Sequence, residues 1–164
     1  MTREPYLRLL DGALLHDVEF GAGGIGIHSP GALHEAQVGY AVNPDGTSLT
    51  GTGEGDWRPS WLVIAQDLLC GDPIFIDTAL PEMPVFTAAH GVGDWNPTRI
   101  ADSAAAFVRT LDIVRRVAVD REHPVALEAN PLSDAERSAV LGEIRALNPR
   151  SDPSFWEALL AHDV

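Results

Sequence analysis

Trp61-Leu62-Val63-Ile64-Ala65, Gly71-Asp72-Pro73-Ile74-Phe75-Ile76-Asp77 and Pro84-Val85-Phe86-Thr87-Ala88-Ala89-His90-Gly91 together decide the fold. Three short apolar runs, starting at residues 62, 74 and 85, are separated by Gly, Asp and Pro. That spacing and punctuation predict three neighbouring strands of an antiparallel meander. Past Trp95 the period changes. Ile100, Ala104, Phe107, Val108, Leu111, Val114 and Ala118 recur at three- and four-residue steps, which predicts a helix with Asp102 or Ser103 as its cap. The strands and the helix must bury their apolar faces together, so Leu62, Ile64, Ile74, Ile76, Val85, Phe107 and Leu111 are expected to share one core.

The same residues carry a resemblance. Trp-Leu-Val-Ile, Gly-Asp-Pro with an apolar run ending in Asp77, Pro-Val-Phe, His90, Trp95, and Ile100-Ala101-Asp102-Ser103 with Phe107 four residues on are similar to the SUKH superfamily. That group holds yeast cell-wall-synthesis regulators and bacterial immunity proteins. The likeness covers the middle third of the chain. Ala104 departs from it where many relatives carry a large apolar residue, and the N-terminal segment lacks the helical pair that often opens the fold. The resemblance implies an α+β fold, an antiparallel sheet of about four to six strands with helices packed against it. It also implies a non-enzymatic protein-binding domain. The first expectation is an immunity protein that neutralises a nuclease-type toxin by binding it; the alternative is a regulatory interaction domain with an endogenous partner.

Length and composition bound these readings. With 164 residues the expectation is one domain over 1–164, in which residues 120–164 form a C-terminal helical extension. Apolar residues make up 45% and charged residues 21%, an ordinary globular balance. Cys70 stands alone, so no internal disulfide or paired-Cys zinc site can form, and a reducing compartment is expected. Its apolar neighbours Leu68 and Leu69 predict a buried, inert thiol. Met1 to Tyr6 has no basic segment leading into an apolar stretch, and no long apolar run occurs, so a cytoplasmic protein without a membrane segment is expected. The net charge is −13, and all 11 basic residues are Arg. Such a charge disfavours binding to nucleic-acid phosphates; it suits a basic protein partner, although taken alone it is explained as readily by solubility.

Elsewhere the signals are local. Leu7 to Phe20 is apolar without a clean period and is interrupted by Gly12; a short strand or hairpin is expected there. Gly21, Gly23, Gly24 and Gly26 are read as a turn or a close backbone approach, not a phosphate loop, because Ile25 and Ile27 continue as a strand. Ser29-Pro30 predicts a brief helix to about Gln37, Val38–Val42 a strand, and Asn43-Pro44-Asp45-Gly46 a turn. Residues 47–56 read as a solvated loop. Breaks at Asp120–Pro124 and Asn130-Pro131 follow the long helix, a Ser133–Glu136 capping box opens a helix to Leu147, and Asp152-Pro153 opens a last one.

Two constellations bear on function. Trp57 and Trp95 flank loops that also hold Glu54, Asp56, Asp94 and His90; these six are the candidate partner-binding residues, with core packing the alternative for the two rings. Asp72, Asp77, His90 and Asp94 together would suit a small metal-dependent hydrolase. Turn roles for Asp72 and Asp77 are the favoured reading, so no catalytic residue, metal or cofactor is assigned. Ser103 lacks the strained elbow a nucleophile needs, and the histidines His16, His28, His34, His123 and His162 have no partner His at helical spacing.

Overall fold

The computed structural model describes residues 4–10 and 15–161. Gly12 and Leu14 of the first segment, and His162, lie outside them. Six strands form one antiparallel sheet in sequence order: β1 (Val18–Phe20), β2 (Gly23–Ile27), β3 (Trp61–Asp67), β4 (Pro73–Asp77), β5 (Val85–Thr87) and β6 (Thr98–Ala101). Helices α1 (Glu4–Leu10), α2 (Ala104–Ala118), α3 (Pro124–Ala129), α4 (Asp134–Leu147) and α5 (Ser154–Leu159) complete an α+β fold. Each strand pairs only with its neighbours in sequence, so the meander expected for residues 61–87 extends across the whole sheet.

Alternation along the strands divides the apolar residues between two faces. Leu62, Ile64, Ile74, Ile76 and Val85 point to the helical side, where Phe107, Leu111 and Val114 of α2, Val140 and Ile144 of α4, and Trp156 meet them in the main core. All seven residues expected to share a core do so. Trp61, Val63 and Phe75 point the other way, into a smaller aromatic core. Ile64 lies in a bulge between Val63↔Phe75 and Ala65↔Ile74, which turns both Ile64 and Ala65 toward the helices.

The glycine cluster builds the first hairpin. Val18↔Ile25 and Phe20↔Gly23 pair across it, and a Cβ on Gly24 would sit 2.4 Å from the Val18 carbonyl oxygen, so the strands approach as glycine alone allows. A short strand or hairpin was expected over Leu7–Phe20; among the described residues that stretch holds the end of α1 and, as strand, β1, whose hairpin partner β2 lies beyond it at Gly23–Ile27. Tyr6 of α1 is buried in the main core and Leu7 packs partly buried against it, but an element of seven residues is too short to show a readable period.

Four other expectations need correction. Ile100 belongs to β6, not to the helix. It bulges between Val85↔Ala101 and Phe86↔Arg99, so Ile100 and Ala101 are both buried and the three- and four-residue steps run on through the strand–helix junction. Ser29–Gln37 forms two single 3₁₀ turns, Pro30–Ala32 and Glu35–Gln37. Val38–Val42 is a tight loop with isolated bridges, because Gly39 adopts φ +87° and the chain folds back on itself. Three helices, not two, follow α2: the six-residue α3 is too short for a period and is set by Pro124 at its start and His123 Nδ1 accepting from the Ala126 amide at 3.2 Å.

Ser103, not Asp102, caps α2, accepting from the Ala106 amide at 3.0 Å. Asp102 is buried and ties β6 to the α4–α5 turn: it accepts from Ser151 Oγ at 2.7 Å, the Arg150 amide at 3.1 Å and Arg150 Nε at 3.3 Å. The Asp152 amide donates to the Arg99 carbonyl at 2.9 Å and Trp156 Nε1 to the Ile100 carbonyl at 2.8 Å, so the outer edge of β6 is covered. The Ser133–Glu136 capping box is present.

Candidate functional site

The face of the sheet opposite the helices is covered by loops, and the six candidate residues lie in or beside this cover. Gln37 fastens it. Its side-chain amide, 3% exposed, donates to the Val63 carbonyl at 2.9 Å and accepts from the Val63 amide at 3.0 Å. Ala41, Tyr40 and Val42 then pack over Val63 and Phe75, and Trp57 closes the cluster.

Trp57 is core. At 1% exposure its ring stands 4.6 Å from Phe75, 5.0 Å from Trp95, and 5.3 Å from both Trp61 and Tyr40, centre to centre. A direct partner contact through Trp57 is therefore withdrawn; a ring enclosed by four others has no face left for another molecule. Its indole Nε1 is buried without a hydrogen-bond partner. Trp95 is only partly buried, and so is Tyr40, 5.7 Å from it. These two rings form the outer layer of the aromatic stack.

Backbone bonds lock the loops that carry the acids. The Trp95 amide donates to the Gly55 carbonyl at 2.9 Å, joining residues 88–95 to residues 51–57. Gly55 adopts φ +78°, and a Cβ there would lie 2.7 Å from an Asp94 carboxylate oxygen, so Asp94 rests against the Gly55 backbone. Asp56 accepts from the Gly53 amide at 2.7 Å, fixing the turn in which Glu54 is exposed. Glu54, Asp56, Asp94 and Trp95 are thus brought together. His90 stands on the same loop as Trp95, its Nδ1 donating to Asp72 Oδ1 at 2.7 Å while its backbone amide donates to the same oxygen at 2.9 Å. His90 is 53% exposed and Asp72 24%. Burial pushes the Tyr40 phenol up, and the Asp72 charge nearby pushes it further.

The hydrolase constellation is not assembled. Asp72 and Asp77 stand at opposite ends of β4, about 17 Å apart for five residues of strand. Asp77 accepts from the Ala79 amide at 3.0 Å, a turn role. Among the described residues no three His, Cys, Asp or Glu side chains converge to hold a metal ion.

Cys70 is exposed, contrary to the buried thiol expected. Asp67 accepts from the Leu69 amide at 2.7 Å and the Cys70 amide at 3.2 Å, and this turn carries Leu68, Leu69 and Cys70 out of the sheet into solvent. The Asp67 charge, followed by desolvation and the Asp72 charge, pushes the Cys70 thiol above its ordinary pKa.

Charge is distributed unevenly. Between residues 9 and 98 the chain has twelve carboxylates against one arginine, Arg58; from 99 onward eleven carboxylates face eight arginines. The strands and their loop cover thus carry nearly all of the −13. This asymmetry, Tyr40 and the Gln37 fastening are features of the site that the sequence reading missed. The first was open to a count by segment, whereas Tyr40 lay in a stretch read as strand.

No family model matches the chain, and neither a curated protein nor a solved structure does. Among the described residues no helix is long and apolar enough to cross a membrane.

Proposed function

We propose that the chain is a non-enzymatic protein-binding domain of the SUKH kind, an immunity protein that acts in the cytoplasm and neutralises a basic, nuclease-type toxin by covering it. The observation that carries this reading is the acidic loop cover: Glu54, Asp56 and Asp94 held by backbone bonds around the half-exposed Trp95, in the half of the chain that holds one arginine among twelve carboxylates. Fixed carboxylates steer a basic surface toward the site, and a rigid aromatic ring among them gives the short-range contact. A pre-organised cover loses little entropy on binding. The superfamily reading is supported by the order of motifs from Trp61 to Phe107, and the α+β class of the fold is the one that reading expects.

The test is co-purification with the product of the adjacent gene, since immunity genes usually sit beside their toxin. The reading expects a stoichiometric complex that suppresses toxicity on co-expression. A neighbouring product that neither binds nor is neutralised would remove it.

A further inference from the structure

Tyr40 and Trp95 lie against each other and against buried Trp57, so three rings are fixed with two half-exposed toward solvent. At the far end of the same aromatic face the protein uses a cation of its own. The Arg99 guanidinium carbon lies 5.5 Å from the Phe86 ring centre, and Phe86 stacks on Phe75 at 5.8 Å, which in turn contacts Trp57. Among the described residues no other arginine covers a ring of this face. One end is capped and the other is open.

The surroundings of the open end match a cation. Asp72 lies close enough to Tyr40 to disfavour the phenolate, Asp94 precedes Trp95 in the chain, and the Gly55 turn places Glu54 and Asp56 on the adjoining loop. His90 is engaged with Asp72 through Nδ1. Arg58, partly buried, is the one basic side chain in this half of the sequence.

Resting on the binding function proposed above, we infer that the Tyr40–Trp95 platform receives an arginine side chain of the partner, stacked on the rings and paired with the carboxylates beside them. A planar guanidinium can stack on an aromatic ring and offer its edge donors to a carboxylate at once, which an ammonium does less well. Tyr40 then becomes a specificity residue that discriminates arginine from lysine.

The experiment titrates the intact protein with a short blocked peptide holding two arginines, and with its lysine and citrulline counterparts, following tryptophan fluorescence and amide chemical shifts. The arginine peptide is expected to bind saturably with shifts centred on residues 40, 55 and 95, the lysine peptide several-fold more weakly, and the uncharged citrulline peptide not measurably. Tyr40→Leu, which keeps an apolar side chain over Trp57, is expected to weaken arginine binding on the order of ten-fold. Asp72→Asn, which can still accept from the His90 amide, is expected to weaken it without lowering the melting temperature. Equal binding of arginine and citrulline peptides, shifts elsewhere on the molecule, or unchanged affinity in Tyr40→Leu would overturn the inference. A toxin that binds the parent and Tyr40→Leu equally well would leave the immunity function standing and remove this anchor alone.

Discussion

Gln37 and Val63 form a reciprocal pair in which a side-chain amide takes the place of a strand: Nε2 donates to the Val63 carbonyl at 2.9 Å while Oε1 accepts from the Val63 amide at 3.0 Å. β2 pairs with β3 only as far as Ile27↔Ala65, and the His28 amide adds one more bond to the Ile64 carbonyl. Beyond that point the backbone of β3 would be left unsatisfied under the loops. Gln37 meets both of its groups and fastens the loop cover to the sheet. Nε2 also donates to the Leu33 carbonyl at 2.7 Å, which holds the turn that presents it.

Gln37→Leu roughly keeps the volume but leaves three buried backbone groups, the Val63 amide and carbonyl and the Leu33 carbonyl, without this side chain, at about 1–3 kcal/mol each. A loss of about 3 kcal/mol or more on denaturant unfolding is expected, with early hydrogen exchange at Val63 and a weaker near-ultraviolet signal from the tryptophans. An unchanged midpoint would mean that the cover is held by its rings alone.

Phe107 reports on the other face. It is 3% exposed and lies 6.1 Å from the Trp156 ring, between the sheet and α5. Phe107→Ala should cost about 3–5 kcal/mol, a large share of a domain's stability. Melting within a degree or two of the parent would contradict the main core as described.

Asp102 gives a pH dependence. Burial alone would raise its pKa, but hydrogen bonds from Ser151 and Arg150 and the Arg150 charge outweigh it and hold the carboxyl below the usual range. A depressed folded-state pKa means that Asp102 adds stability above its unfolded value, roughly pH 4, and that this is lost as pH falls through the folded value. Asp102→Asn should therefore melt below the parent at pH 7, and the gap should narrow toward pH 3. A gap independent of pH would assign the loss to packing.

How much of this was legible in the sequence varies with the length and regularity of each element. The three central strands, α2, and the Ser133 capping box could be read, because short apolar runs punctuated by Gly, Asp and Pro, helical steps over Phe107–Ala118 and a capping pair are local patterns. β6 was hidden because Ile100 and Ala101 are both buried through a bulge, a feature fixed by β5 and invisible along the chain. Gln37 resembles any polar loop residue until Val63, 26 positions away, supplies its partner. At the site, the acids on the loops could be read, but the depth of Trp57 could not; Trp57 and Trp95 both flank loops, and only the packing of Tyr40 and Trp61 decides which ring is enclosed.

Trp95 separates contact from support. Because the ring is only partly buried and the Trp95 amide keeps the two loops joined when the ring is removed, Trp95→Ala should shorten the lifetime of a toxin complex about ten-fold or more. The melting temperature should fall by only a few degrees. A large drop in melting temperature with an unchanged off-rate would make the ring purely structural.

The central claim is that fixed carboxylates on the loop cover draw in a basic partner, and stopped-flow association with the adjacent gene product over a range of salt tests it most directly. Charges in solvent are screened beyond about 10 Å at 0.1 M salt, so the on-rate of the parent should fall about ten-fold or more as salt is raised from low to several times that level. In Glu54→Gln with Asp56→Asn, which keeps an acceptor for the Gly53 amide, the on-rate should start lower and fall less steeply, with little change in off-rate. An on-rate indifferent to salt, or identical in parent and double variant at every salt concentration, would contradict the account and move the binding face elsewhere on the molecule.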